Sequence, residues 1–443
     1  MTPSHEELKA ELAELIAIPS VSADAERAGD VRRAAEWAAE RIVRAGGTAE
    51  IVAPQGRPLT VGEVPATNGG EAPTVLAYAH FDVQPADPVE LWDSQPFELT
   101  ERDGLLVARG VADDKTHLFQ LLKTTQLLAD DGSLPVNVRF LFDSEEEIGG
   151  TSAQEWLSQD ERGADVALVL DGGYATAALP AFGIGLRGMC YFHVELRTGA
   201  RDLHSGLFGG AALNANHALM QALSGVLAGP DGRLPEPLRE GVVPPTGEEL
   251  AGWELLPGGA AELAEAGAVP MDDGAVAGFY LRTTAEPAVD VHGIASGSPH
   301  HVKTVLPVEA HANVSIRLAP TQKADTVAPA FERLLRAAAP PGAELEVTVH
   351  SRSDGALVPA DAPAVKIAQD AFEQVVGVRP VLVRSGGSIP IVADLGRRGV
   401  PAIVTGFALP SARMHSPNEN FPAAHLRLGI ETTAAVLRGF ARL

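Results

Sequence analysis

Between residues 74 and 173, short apolar runs alternate with helical stretches: TVLAYAHFD, KTHLFQLLKTTQLLAD, VNVRFLFDSEEE, TSAQEWLSQD and DVALVLDGG. Apolar runs of strand length separated by segments of 3.6-residue period leave few folds open, because each connection must cross back over the sheet before the next strand can pair. The pattern predicts an α/β unit with a mostly parallel central sheet and helices on both faces. Two helices precede it, in MTPSHEELKAELAELIAIPSV and DVRRAAEWAAERIVRAG, the second stopping at Gly46 and Gly47 as helices often do. The pattern resumes near the end, with a helix in PAVKIAQDAFEQVVG, strands in RPVLVRSGG and VPAIVTGF, and a closing helix in AAHLRLGIETTAAVLRGFARL.

The middle obeys a different period. GMCYFHVELRTG and VEAHANVSIRLAP alternate every two residues, as half-exposed strands do, and NANHALMQALSG and KADTVAPAFERLLRAAA read as helices. With 443 residues, too many for one core, the chain is expected to hold two domains. One is an α/β domain split into residues 1–184 and 355–443, and the other an α+β insertion at 185–354. The Pro- and Gly-rich stretch from 229 to 275 reads as a long surface excursion.

Thirty-four basic against 58 acidic residues leave a formal net charge of −24. That argues against nucleic acid or an anionic membrane as partner and leaves metal cations open. The single cysteine, Cys190, allows no internal disulfide and no Cys-rich zinc site, and it reads as a small buried hydrophobe. The first helix has neither the basic start nor the apolar core of a signal peptide, and no apolar run is long enough to span a bilayer, so a cytoplasmic location is expected.

Three of the apolar runs end in residues that bind metals. TVLAYAHFD ends in His80 and Asp82, VNVRFLFDSEEE in Asp143, Glu145, Glu146 and Glu147, and DVALVLD in Asp171. Ligands of open α/β sheets bind beyond the carboxyl ends of the strands, so these groups can meet in one crevice. Each alone has an ordinary explanation as a turn residue or solvated face. Together they would repel strongly with no cation among them. Asp113 and Asp114 in VARGVADDKTH suit either helix capping or the bridging of two cations. Imidazole and carboxylate without thiolate suit zinc, manganese or cobalt. GIGLRG at 183–188 fits GxGxxG, but a strand-like segment follows it where a dinucleotide site needs a helix. No GxSxG elbow of a serine hydrolase appears.

AHFDVQP, RGVADDKTH, SEEEIGG, LDGG, RDLHSGLFGG, KTVLP, SIRLAP, SGGSIP and MHSPNEN occur in that order. Together they resemble the dinuclear metallopeptidases of the M20 clan, and within it the carnosinase-like cytosolic dipeptidases. The resemblance implies two divalent ions per subunit, zinc first and manganese or cobalt as alternatives. His80 and Asp171 would bind one, Glu147 and His415 the other, and Asp113 both. Asp82 would orient His80, and Glu146 would be the general base. His204 would reach the active site of the partner subunit in a homodimer whose insertion serves as lid and dimer surface. Thr304, Arg317 and Ser388 would bind a small peptide substrate, with Arg317 on its terminal carboxylate. A kink after the strand would aim Glu146 and Glu147 differently, leaving Asp143 and Glu145 as solvated neighbours. Where many members have Gly after the aspartates and lysine, this chain has Thr116 and His117, and His117 is not expected to be a ligand. The implied reaction is hydrolysis of dipeptides with a free C-terminal carboxylate. An N-acyl amino acid deacylase or desuccinylase on the same scaffold, or a peptide-binding protein without activity, are the alternatives.

Overall fold

The computed structural model describes residues 3–69, 71–386 and 389–443. The chain gathers into two units. The first consists of Met1–Ile184, Val358–Val383 and Asp394–Leu443, the second of Gly185–Leu357 and Arg384–Ala393.

In the first unit the strands lie in the order Thr48–Val52, Leu59–Val64, Asn137–Asp143, Thr74–His80, Val166–Leu170 and Ala402–Thr405. The last four are mutually parallel, and the first two add antiparallel strands at one side. Thr74–His80 is buried from Val75 onward and Val166–Leu170 along its whole length, as strands covered on both faces must be. This explains why they read as continuous apolar runs. The first helix, His5–Ile16, begins at a reciprocal cap between Ser4 and Glu7 and buries Leu8, Leu12, Leu15 and Ile16. Helix Ala423–Phe440 packs against Pro363–Val376 and Lys115–Asp130, bringing the end of the sequence against its first third.

The second unit is built on an antiparallel sheet in the order Ala288–Ala295, Glu309–Leu318, Gly188–Arg197, Glu344–Ser353. Cys190, Phe192, Val194 and Leu196 point inward onto helices Ala215–Ser224 and Ala324–Ala338, and Phe192 stacks on Phe331 at 4.3 Å. Cys190 is fully buried, as expected of a small hydrophobe. GIGLRG ends the strand Leu179–Leu186 and leads straight into Gly188–Arg197, so no helix N-terminus follows it.

Two expectations fail here. The stretch 229–275 is partly folded into the unit: it forms helices Gly247–Trp253 and Gly259–Glu265 and buries Leu238. Residues 384–393 belong with the second unit although the sequence places all of 355–443 in the first. The cause is Arg384, whose buried guanidinium donates to Glu249 at 2.5 Å and to the Val243 carbonyl at 2.9 Å. No helix among the described residues is long and apolar enough to cross a membrane.

Candidate metal centre

Asn137–Asp143, Thr74–His80 and Val166–Leu170 are neighbouring parallel strands, so their carboxyl ends open on one edge. His80 closes its strand fully buried. Its Nδ1–H donates to the Asp82 carbonyl at 3.1 Å, with the Asp82 carboxylate 3.4 Å away. Nε2 lies 3.0 Å from Oδ1 of Asp113 and is the nitrogen that a neutral ring, with its proton on Nδ1, would offer to a cation. Oδ2 of Asp113 lies 2.9 Å from Nε2 of His415, which is 3.0 Å from Oε2 of Glu147. Asp171 completes the His80 side. His80, Asp113 and Asp171 form one group whose ligand atoms lie within 4.8 Å of one another, and Asp113, Glu147 and His415 form a second. Asp113 is common to both.

The expected kink after the strand is present, but two of the acids around it are not solvated as expected. The strand ends at Asp143, and Glu146–Ile148 form a 3₁₀ turn. The Asp82 carboxylate holds this turn, accepting the Glu146 amide at 3.3 Å and the Glu147 amide at 3.2 Å, while Gln84 donates to Glu147 Oε2 at 2.9 Å. Asp143 and Glu145 are not solvated: they are 4% and 5% exposed. Asp143 accepts from Tyr78 and from the amides of Ser144 and Glu145, and Glu145 accepts the Ser152 amide that opens the next helix. Their burial follows from loop backbone that needs acceptors as it turns away from the sheet.

Asp114 sits at the start of helix Lys115–Asp130 but its side chain accepts none of the helix's backbone amides, so the capping explanation fails. Instead it accepts from the His80 amide at 3.1 Å and contacts Nδ1 of His117 at 2.6 Å. Nε2 of His117 accepts the Phe407 amide, so both ring nitrogens are used and His117 is structural. The Asp113–Asp114 peptide is cis.

Sequence reasoning gave no role to Glu419, which is fully buried, pairs with Arg109 at 2.8 Å and accepts the amides of Gly110, Ala112 and Asp113. It fixes the loop that presents Asp113. The only signal was an acid inside MHSPNEN, and Arg413 beside that run offered a nearer partner than Arg109.

Electrostatics reflect the crowding. Burial, reinforced by Asp113, Glu146 and Glu147 against the pull of His80, pushes Asp171 up to about 8. Burial also raises Glu146. Hydrogen bonds to Asp113 and Glu147 raise His415 to about 10, and burial of Asp113 is outweighed by both imidazoles, which hold it below the usual carboxylate range. Carboxylates this close ionise together only with positive charge among them. Imidazole nitrogens and carboxylate oxygens with a preset His80 tautomer fit borderline divalent cations; Cys190, buried in the second unit's core, adds no thiolate.

Of the residues assigned to substrate, His204, Thr304 and Arg317 lie in the second unit. His204 pairs with Val305 in a two-stranded ribbon, and Ser205 donates to the Thr304 carbonyl, so His204 and Thr304 are neighbours. Arg317 is on a different sheet, opposite Met189. Ser388 is outside the described residues.

The chain matches the family model of Peptidase family M20/M25/M40 over residues 76–439. It is 28% identical over 441 residues to the cysteinylglycine-S-conjugate dipeptidase of Corynebacterium striatum, covering 95% of this chain and 92% of that one. It is 30% identical over 376 residues to the Beta-Ala-His dipeptidase of Rattus norvegicus, covering 80% and 74%. The structure of the M20 family metallo-carboxypeptidase Sso-CP2 from Sulfolobus solfataricus superposes with a TM-score of 0.83 at 25% identity, over 99% of this chain and all 100% of that one. A family match that begins within the His80 strand and extends past His415, over a chain that folds like these peptidases, makes this protein a hydrolase of peptide bonds and a member of Peptidase family M20/M25/M40.

Proposed function

We propose that this peptidase is a dinuclear dipeptidase acting on short peptides with a free C-terminal carboxylate. The observation that carries the reading is Asp113, whose two oxygens face His80 and His415 at 3.0 and 2.9 Å. In this reading His80, Asp113 and Asp171 hold one divalent ion, and Asp113, Glu147 and His415 the other, with zinc preferred and manganese or cobalt alternatives. Bound there, the ions supply Lewis acidity and bring the pKa of a water toward about 7.

Glu146 takes the proton from the attacking water and delivers it to the leaving amine nitrogen as the C–N bond breaks. Its raised proton affinity suits both halves of that exchange. Asp82 acts through others, fixing the His80 tautomer and the Glu146–Glu147 turn. His204 donates to the developing oxyanion, a contact typically worth about 2.7–4 kcal/mol. Its Nδ1 accepts the Gly206 amide at 3.0 Å, so the neutral ring carries its proton on Nε2, the outward donor this role needs. Arg317 grips the substrate carboxylate through its planar fork, with Thr304 and Ser388 on the rest of the substrate. The second unit is read as lid and dimer surface, with His204 acting across a homodimer, and the location as cytoplasmic. The relatives named as dipeptidases support the substrate class.

The test is the purified protein stripped of metal, reloaded with zinc or manganese, and assayed on dipeptides and on N-acyl amino acids, with E146Q alongside. Metal-dependent dipeptide turnover that vanishes in E146Q is the expected result. Turnover of acyl amino acids alone moves the substrate class to the deacylases.

A further inference from the structure

Five arginines are buried among the described residues: Arg41, Arg109, Arg139, Arg187 and Arg384. Four of them have a carboxylate. Arg41 meets Glu14, Arg109 meets Glu419, Arg139 meets Asp160 and Arg384 meets Glu249. Arg187 is 6% exposed and has none. Its Nη1 donates to the Thr283 carbonyl, while Nε and Nη2 have no partner. Asp290 acts on it electrostatically but forms no ion pair with it.

A buried guanidinium with two idle donors is costly, and an always-charged group cannot escape by losing its proton. A second cation worsens matters. Arg317 lies opposite Met189, two residues beyond Arg187 on the adjoining strand, and the two guanidiniums repel. The backbone around Arg187 is fixed: its amide donates to the Ser385 carbonyl, and Gly386 lies so close to the Thr283 carbonyl that a Cβ there would come within 3.1 Å. The guanidinium is thus held in place with its donors unspent.

We propose that Arg187 and Arg317 together form a binding site for a carboxylate, and that Arg187 is the buried half of a two-arginine clamp on the substrate. Nε–H and Nη2–H of one guanidinium make the edge that pairs bidentately with a carboxylate, and these are the two idle donors. The assignment rests on the dipeptidase reading for the identity of the ligand, and Arg187 is then a specificity-determining residue. The carboxylate can come from the peptide C-terminus or from an acidic side chain, and the terminus is the source favoured by its presence in every dipeptide.

The experiment uses the full-length, metal-loaded enzyme and the variants R187M and R187K, with folding checked by circular dichroism. Ala-Ala, its C-terminal amide and Ala-Glu amide are the substrates. For Ala-Ala, kcat/KM is expected to fall about a hundredfold in R187M, mostly in KM, and nearly as far in R187K, whose ammonium has no fork. The amide, already poor, should hardly change. A fall on Ala-Glu amide but not on Ala-Ala assigns the clamp to acidic side chains. Equal falls on acid and amide, or none on any substrate, overturn the proposal. If the wild type turns over no dipeptide, the dipeptidase reading fails and the anion site is judged by acetate alone. Stabilisation of wild type over R187M, beyond a sodium chloride control, supports it, and equal stabilisation overturns it.

Discussion

Replacing Glu146 by Gln removes one proton-carrying oxygen and leaves the side chain's size unchanged. Because Glu146 is in neither group that includes Asp113, E146Q should bind metal as wild type does, while kcat falls by about 10²–10⁴. Metal analysis of the protein after gel filtration, beside the assay, checks both halves. His117 makes a prediction of a different kind. Burial holds it down to about 3 from 6.5. As pH falls below about 6.5 the unfolded chain takes up a proton that the folded chain refuses, so this histidine's contribution is intact above that pH and drains away toward pH 3. Melting temperatures of metal-free wild type and H117Q between pH 7 and 4 should therefore converge on acidification. A parallel course would remove this role.

At the scale of elements, the loop from Arg109 to Asp113 depends on Glu419. E419Q leaves Arg109 buried without a counter-charge, and removing one partner of a buried pair costs about 3–5 kcal/mol. Urea unfolding should show that loss, and metal titration should show weaker binding, because one of the two oxygens that accept the amides of Gly110, Ala112 and Asp113 becomes a donor. The same loop marks where the sequence could be read and where it could not. The strands ending at His80, Asp143 and Leu170 were legible because burial on both faces leaves mostly apolar runs, broken only in the second by Arg139, which pairs with Asp160. Strand ends converging on one edge brought His80, Glu147 and Asp171 together, whereas His415 and the sharing of Asp113 were implied only by the family resemblance. A kink at Glu146 and Glu147 was expected, but its 3₁₀ form was not legible, since it is held by Asp82, more than 60 residues away. Glu419 was invisible because its partners lie more than 300 residues earlier. Asp143 and Glu145 were misread because an acidic run carries no sign of whether backbone amides or water will satisfy it.

For the whole molecule, the two units have separate apolar cores, one running from Leu8 to Phe440 and the other from Cys190 to Leu335. Every residue of the two metal-suited groups around Asp113 belongs to the first unit. Calorimetry with and without a chelator should thus resolve two transitions, of which metal removal lowers one and spares the other. Equal lowering of both would mean that the cores melt as one.

Asp113 and His415 are 302 residues apart in sequence yet 2.9 Å apart in space. Synthesis at about 5–20 residues per second puts some 15–60 s between the appearance of the shared aspartate and that of the histidine that faces it. During that interval the ribosome holds a chain with His80, Asp113, Glu147 and Asp171 already made and the centre open. On the proposed ligand set, a chain at that stage lacks one of the groups the centre needs, so cutting would begin only after His415 has been made and folded against Asp113.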